Sequence, residues 1–416
     1  MRRKKFIIAG ASTYAVKNHG DDAMLTNLVQ NLRKKYPSCE IVLIARHPNE
    51  KIKRILNIKA IKNFDHNKKP KNKEKFFYGF NREDNTQHLK EVVQEIASSD
   101  LVILGGNLFM EIFPNNFLRG VSSYTSLISI ISKTFSKPIV LYGLNVVDKV
   151  KSKITKEHVR FILENSKKIT VREQSAKKLL KNLNFSSPEI AVYGDPAFGV
   201  IFSKEKSLAY KTLRKNRIQL PSNKNIVGLC VREEYWKINK AAQMKKIKKL
   251  SKILDNFQKK TNCIFLFIPN CTYNGVNKWQ DDRFVHKQIK KNMRKKSKCV
   301  LIDKELNLFE TMNIFSLLEM HITNRRHSTC FAALNSIPSV VIKDLSGNMS
   351  NHQSSMANEI GLGQNMIDLN KSINLLSAKI LKNWKNRKID SKKIDKNIKK
   401  LITISRKQVS YLTKGI

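Results

Sequence analysis

The chain opens MRRKKFIIAGASTYAVKNHGDDAML (residues 1–25), a stretch that can be an export signal or the first strand and ligand loop of an α/β enzyme. For the signal stand Arg2, Arg3, Lys4 and Lys5, an apolar run from Phe6 to Ala15, and small residues where a peptidase could cut. Against it, Gly10 and Ser12 interrupt the run, so Lys5-Phe6-Ile7-Ile8-Ala9 reads better as a short buried strand. Asn18-His19-Gly20-Asp21 then leads into a helix whose apolar face is Met24, Leu25, Leu28 and Leu32.

The same alternation continues along the 416 residues. Short apolar runs at Ile41–Ala45, Leu101–Leu104, Ile139–Tyr142, Ile169–Val171 and Ile190–Val192 read as strands, with helices between them at Asp22–Tyr36, His88–Ala97, Tyr124–Phe135, Lys156–Asn165 and Gln174–Leu183. A second series has strands at Ile226–Val231, Cys263–Ile268, Cys299–Ile302, His321–Thr323 and Ser339–Ile342. Its helices fall at Lys240–Gln258, Arg283–Arg294, Leu308–Leu318 and Ser328–Asn335. Strands alternating with helices specify parallel sheets covered by helices. The expected class is therefore α/β, with two Rossmann-like domains facing across a cleft: 1–205, a linker over 206–222 that carries Pro221 and repeated lysines, 223–370, and a lysine-rich helical tail over 371–416.

Composition narrows the function classes. Six scattered cysteines form no C-x-x-C pair and no Cys/His zinc spacing, which predicts thiols in a reducing, cytoplasmic setting and no metal site. No apolar run reaches the ~18 residues of a membrane span. The 79 basic against 33 acidic residues give a net charge of +46, which brings polyanions and anionic lipid surfaces into consideration as partners. The lysines of Lys68–Lys75, Lys245–Lys260, Lys287–Lys298 and Lys382–Lys407 lack the interleaved aromatics of a base-stacking platform, so no specific nucleic acid is expected.

Candidate site residues lie where strands give way to helices. Asn18, Gly20 and Asp21 offer a loop and a helix N-terminus at the carboxyl edge of a sheet, the usual ligand position in such folds; a capped turn would use the same residues. Gly105 and Gly106 end an apolar strand and let the backbone approach a ligand or turn tightly. No dinucleotide or P-loop signature accompanies them. Arg172 stands at a strand-to-helix junction, as a ligand group or as the salt-bridge partner of a neighbour such as Glu173, and Asp195-Pro196-Ala197-Phe198 reads as a hinge or a packing turn. Thr323-Asn324-Arg325-Arg326-His327-Ser328 is the most informative segment. Its arginines can bind phosphate or carboxylate through paired hydrogen bonds, and a histidine can deliver a proton near neutral pH. A solvated basic turn is the alternative.

Taken in order, NHGDDAML (18–25), DLVILGGNLF (100–109), KPIVLYG (137–143), ITVREQSA (169–176), VYGDPAF (192–198) and TNRRHS (323–328) resemble the polysaccharide pyruvyl transferase family, a GT-B-like architecture. The resemblance implies phosphoenolpyruvate as donor, with no separate cofactor. The implied acceptor is a sugar hydroxyl pair on a polysaccharide or lipid-linked glycan, and the product a pyruvate ketal. It also implies His327 as general acid and Arg325 as the group that holds donor phosphate or carboxylate, with Arg172 and Asp21 also lining the cleft. A lipid-linked acceptor would bring a cytoplasmic enzyme to the inner, anionic face of the membrane. The competing expectation is a GT-B glycosyltransferase with a nucleotide-sugar donor.

Overall fold

The computed structural model describes residues 3–10, 17–46, 50–64, 87–106, 120–146, 152–182, 188–221, 224–233, 239–272, 281–343 and 351–416. The lysines of 68–75 and the small residues after Gly10 lie outside these ranges.

The chain divides into two compact units. The first comprises Met1–Val16, Asp21–Val200 and Ile402–Ile416, and the second Lys17–Gly20 and Ile201–Leu401. In the first unit the strands are β1 (Lys5–Ala9), β2 (Glu40–Ala45), β3 (Lys59–Lys62), β4 (Leu101–Gly105), β5 (Ile139–Leu144), β6 (Lys168–Val171) and β7 (Ile190–Val192). They form one parallel sheet in the order β3-β2-β1-β4-β5-β6-β7. Helices α1 (His19–Lys35), α2 (Glu50–Leu56), α3 (Gln87–Ala97), α4 (Val121–Thr134), α5 (Lys153–Glu164) and α6 (Gln174–Lys181) connect the strands. Every described residue of β4 and β5 is buried, which is why these strands read as unbroken apolar runs. One face of the sheet packs Ile7, Val102 and Leu141 under Ile128 and Ile162; the other packs Phe6, Ile8 and Ile103 under Leu25 and Leu28 of α1. The strand Phe6–Ala9 is thus central to the first core.

The second unit begins with α7 (Lys206–Lys215), then carries β8 (Ile226–Cys230), α8 (Lys240–Thr261), β9 (Ile264–Phe267), α9 (Asp282–Asn292), β10 (Cys299–Leu301), α10 (Leu308–Ile314), β11 (Met320–Thr323), α11 (Arg326–Leu334), β12 (Ser339–Ile342), α12 (Asn351–Glu359) and β13 (Met366–Ile367). Its sheet is also parallel, in the order β10-β9-β8-β11-β12-β13. The chain leaves β8 toward β9 on one side and returns to β11 on the other. The carboxyl ends of β8 and β11 therefore form a topological switch point, where open α/β sheets place their ligands.

Several elements depart from the sequence expectation, among them the short helices α2 and α12, which it did not include. Residues 206–215, expected in an irregular linker, form α7, because Ala209 and Leu213 bury one face while the lysines occupy the other. Strand β3 was hidden by its composition, KAIK, in which only Ile61 is fully buried. The two-residue β13 is too short to carry a pattern. The helical tail expected from residue 371 is a single 40-residue helix, α13 (Ile373–Leu412), with residues in both units. Its Leu376, Ile380 and Trp384 belong to the second core and its Val409 and Leu412 to the first.

Candidate active site

In the second unit the turn after β11 is fixed by the Thr323 hydroxyl. It donates to the Cys230 carbonyl at the end of β8 (2.7 Å) and accepts the Arg325 backbone N–H (2.8 Å). Arg325 is thereby held in extended backbone as the residue before α11, while His327 falls in the first turn of that helix. Asn324, buried beside them, accepts the Arg232 N–H through Oδ1 at 2.8 Å and ties the β11 turn to the end of β8.

The Arg325 guanidinium lies against Asp282, the first residue of α9. Nε donates to Oδ1 at 3.1 Å and Nη2 makes a second, short bond to the same atom. The carboxylate is wholly buried and the arginine side chain is 12% exposed, so one end of the pair still reaches solvent. Burial opposes the guanidinium charge, and the adjacent Asp282 carboxylate more than offsets that cost, raising the Arg325 pKa above its ordinary value. The other carboxylate oxygen of Asp282 accepts the backbone N–H groups of Asn270 and Cys271, each at 2.9 Å.

The Asn18–Gly20 segment closes the arrangement. Asn18 pairs with Cys271 in an isolated antiparallel bridge, and the His19 N–H donates to the Asn270 carbonyl at 3.0 Å. Asn18 Oδ1 accepts from Asn270 Nδ2 at 3.2 Å and from the Gly20 N–H at 3.1 Å, capping the start of α1. Gly20 then packs on His327 with so little room that a β-carbon there would lie 2.7 Å from the imidazole Cε1, and nearer still to Nδ1 and Cγ. His19 turns inward, its Nε2 3.1 Å from the Thr311 hydroxyl, and burial pushes its pKa down to about 4. It is a neutral structural imidazole. Burial likewise raises the Cys230 thiol to about 12, so it supplies no thiolate nucleophile near neutral pH.

Four of the expected site residues, Asn18, Gly20, Arg325 and His327, are thus connected within one unit. The other four belong to the first unit. Gly105 and Gly106 are buried at the carboxyl end of β4, with Gly106 at φ 82°, and Asp21 is buried in the first turn of α1. Arg172 is 2% exposed: Nε donates to the Gly143 carbonyl at 2.9 Å, and Nη1 meets Asp195 at 3.4 Å. Its salt-bridge partner is Asp195 rather than the adjacent Glu173, and Asp195 also caps the turn over Pro196–Gly199 by accepting the Ala197 N–H. Gly143, at φ 57°, lets Pro196 pack closely against it, since a side chain there would collide with the proline ring.

Sequence reasoning missed Asp282 and Asn270. The Asp281-Asp282 pair at a helix start is a visible capping signal, but nothing local links Asp282 to an arginine 43 residues away. Among the described residues, no group of three or more His, Cys, Asp or Glu is placed to hold a metal ion, no helix is long and apolar enough to cross a membrane, and none of the six cysteines forms a disulfide.

The family model for polysaccharide pyruvyl transferase matches residues 18–344, from the Asn18 loop through β12. The chain belongs to the polysaccharide pyruvyl transferase family. It is a transferase that acts on polysaccharides. No protein with a curated description matches it in sequence. Among solved structures it is similar to Anabaena Alr3699/HepE in complex with UDP-glucose, with TM-score 0.61, 13% identity, and coverage of 98% of this chain and 99% of that one. UDP-GlcNAc 2-epimerase of Methanocaldococcus jannaschii gives TM-score 0.57 at 12% identity over 91% of this chain and 92% of that one. S. aureus MnaA with UDP gives 0.56 at 12% identity over 97% and 94%. At these identities the likeness establishes the fold, a GT-B-like pair of α/β domains.

Proposed function

We propose that this family member transfers pyruvate from phosphoenolpyruvate to a pair of sugar hydroxyls on a polysaccharide or lipid-linked glycan, forming a cyclic ketal. The observation that carries the reading is the placement of Arg325 and His327 together at the β8/β11 switch point, with Arg325 held by Asp282 and His327 seated on Gly20.

The donor carries a carboxylate and a phosphate, so it needs fixed cations and helix N–H groups; Arg325 and the start of α11 offer both. With Nε and Nη2 turned to Asp282, Arg325 presents its Nη1 edge to a donor oxygen. His327 protonates the donor methylene, which makes the central carbon electrophilic. One sugar hydroxyl attacks that carbon, phosphate leaves, and the second hydroxyl closes the ring. The two hydroxyl protons balance the step: one replaces the proton placed on the methyl carbon and the other leaves with phosphate. Asn18 and Gly20 hold the loop beneath His327. Gly105, Gly106 and Asp21 are assigned to substrate binding in the first unit, and Arg172 acts there from beneath the surface by fixing Gly143 and Asp195.

The competing donor is a nucleotide sugar, the class of ligand held by the Anabaena protein in its complex with UDP-glucose. Thermal-shift titration with phosphoenolpyruvate and with a panel of UDP-sugars separates the two: stabilisation by phosphoenolpyruvate supports the proposal, and stabilisation by a UDP-sugar alone overturns it. An anionic membrane surface is the proposed docking partner for a lipid-linked acceptor, supported by lysine-rich α8 and α13. Flotation with phosphatidylglycerol vesicles tests it, and absence of binding at low salt rejects it.

A further inference from the structure

We propose that Asp282 is a positioning residue for the transfer reaction: it sets the edge that Arg325 presents to the donor and fixes the loop that seats His327. The inference rests on the reading of Arg325 as the donor's anion-holding group.

The two carboxylate oxygens have separate tasks. Oδ1 takes the Nε and Nη2 hydrogens of Arg325, which locks the guanidinium plane. Oδ2 takes the N–H groups of Asn270 and Cys271. Asn270 in turn holds His19 through its carbonyl and Asn18 through its side-chain amide, and Gly20 of that same segment is packed on the His327 ring. A single buried carboxylate therefore connects both reacting-site groups through elements from three parts of the chain. A charge buried this completely is costly unless all its bonds are made, and here all four are made to groups that lead to the site. A neutral amide is a poor substitute. Asparagine could still accept from Asn270 and Cys271, but its NH₂ would face the Arg325 donors.

The test separates positioning from donor identity. The Arg325 side-chain Nε–H resonance, assigned by its loss in Arg325→Lys, is expected to exchange slowly with solvent in the wild-type chain, because it is bonded to a buried carboxylate. In Asp282→Asn that protection should be lost while the chain still melts cooperatively. The KM for phosphoenolpyruvate should rise about tenfold or more, the effect of losing a charge-assisted restraint made by two N–H groups. Placed in the Arg325→Lys background, Asp282→Asn should add little further loss, since asparagine keeps the bonds to Asn270 and Cys271 and loses those to Arg325. Retained Nε–H protection in Asp282→Asn, or an equal loss in both backgrounds, overturns the proposal. If Asp282→Asn fails to fold, Asp282→Glu keeps the charge and displaces it by one methylene; an unchanged Arg325 resonance and unchanged KM in that variant also overturn it. A wild-type chain indifferent to phosphoenolpyruvate removes the proposed donor, and the Arg325 resonance still decides whether Asp282 positions it.

Discussion

Gly20 and His327 are in direct contact although 307 positions separate them, and the imidazole occupies the space that a side chain at position 20 would need. The glycine of the first loop is thus a seat for the histidine of the last turn.

Gly20→Ala is expected to push the imidazole out of register. The fold should survive with a loss of about 1–3 kcal/mol, typical of one extra carbon in a packed place. Turnover should fall far more steeply, toward that of a chain without the histidine. Paired measurements of urea unfolding and phosphate release check both halves.

His327→Asn removes the proposed acid and leaves Arg325 and Asp282 in place. Phosphoenolpyruvate should still raise the melting temperature, while acceptor-dependent phosphate release should fall about 10²–10⁴-fold, the usual contribution of a general acid. Near-normal release from this variant would refute the assignment of the proton donor.

Acid should weaken the second unit in a defined window. Burial lowers His19 and His286 to about 4 and His321 to about 3, from an ordinary 6.5. Between those values the unfolded chain binds protons that the folded chain does not. Stability is therefore fully present above 6.5 and declines as pH falls toward 4, by about 1.4 kcal/mol per pH unit for each group. His286→Gln keeps an acceptor for the Val231 N–H, bonded at 3.2 Å in the native chain, and should make the decline shallower by one group. Urea midpoints across this range, with and without the substitution, measure it.

Arg172→Ala should destabilise the first unit by about 3–5 kcal/mol, because it leaves the Asp195 carboxylate buried without its partner. Arg172→Met combined with Asp195→Asn should recover much of that loss. Chemical denaturation of the single and double variants gives the comparison; equal losses would show that the buried pair is not the reason for the arginine.

Much of the fold is legible in the sequence because fully buried parallel strands leave an unmistakable mark. Leu101–Gly105 and Ile139–Leu144 are apolar throughout since both faces are covered, and their limits fall within two residues of the expected ones. Where burial is partial the mark fades: Lys59–Lys62 has one fully buried residue, and α7 carries its apolar face among lysines that resemble a linker.

By itself the sequence determined the alternation of strand and helix, the two sheets, and the residue types at the strand ends, including Arg325, His327 and Gly20. These are local properties, set by periodicity and by the backbone freedom that turns demand. Only the tertiary structure decided what each group touches. It turned Arg172 inward to Asp195, gave Arg325 a carboxylate 43 residues away, and brought Gly20 under His327. Such pairings depend on strand order: placing β11 beside β8 brings together chain ends that are remote in sequence, and no local pattern encodes that choice.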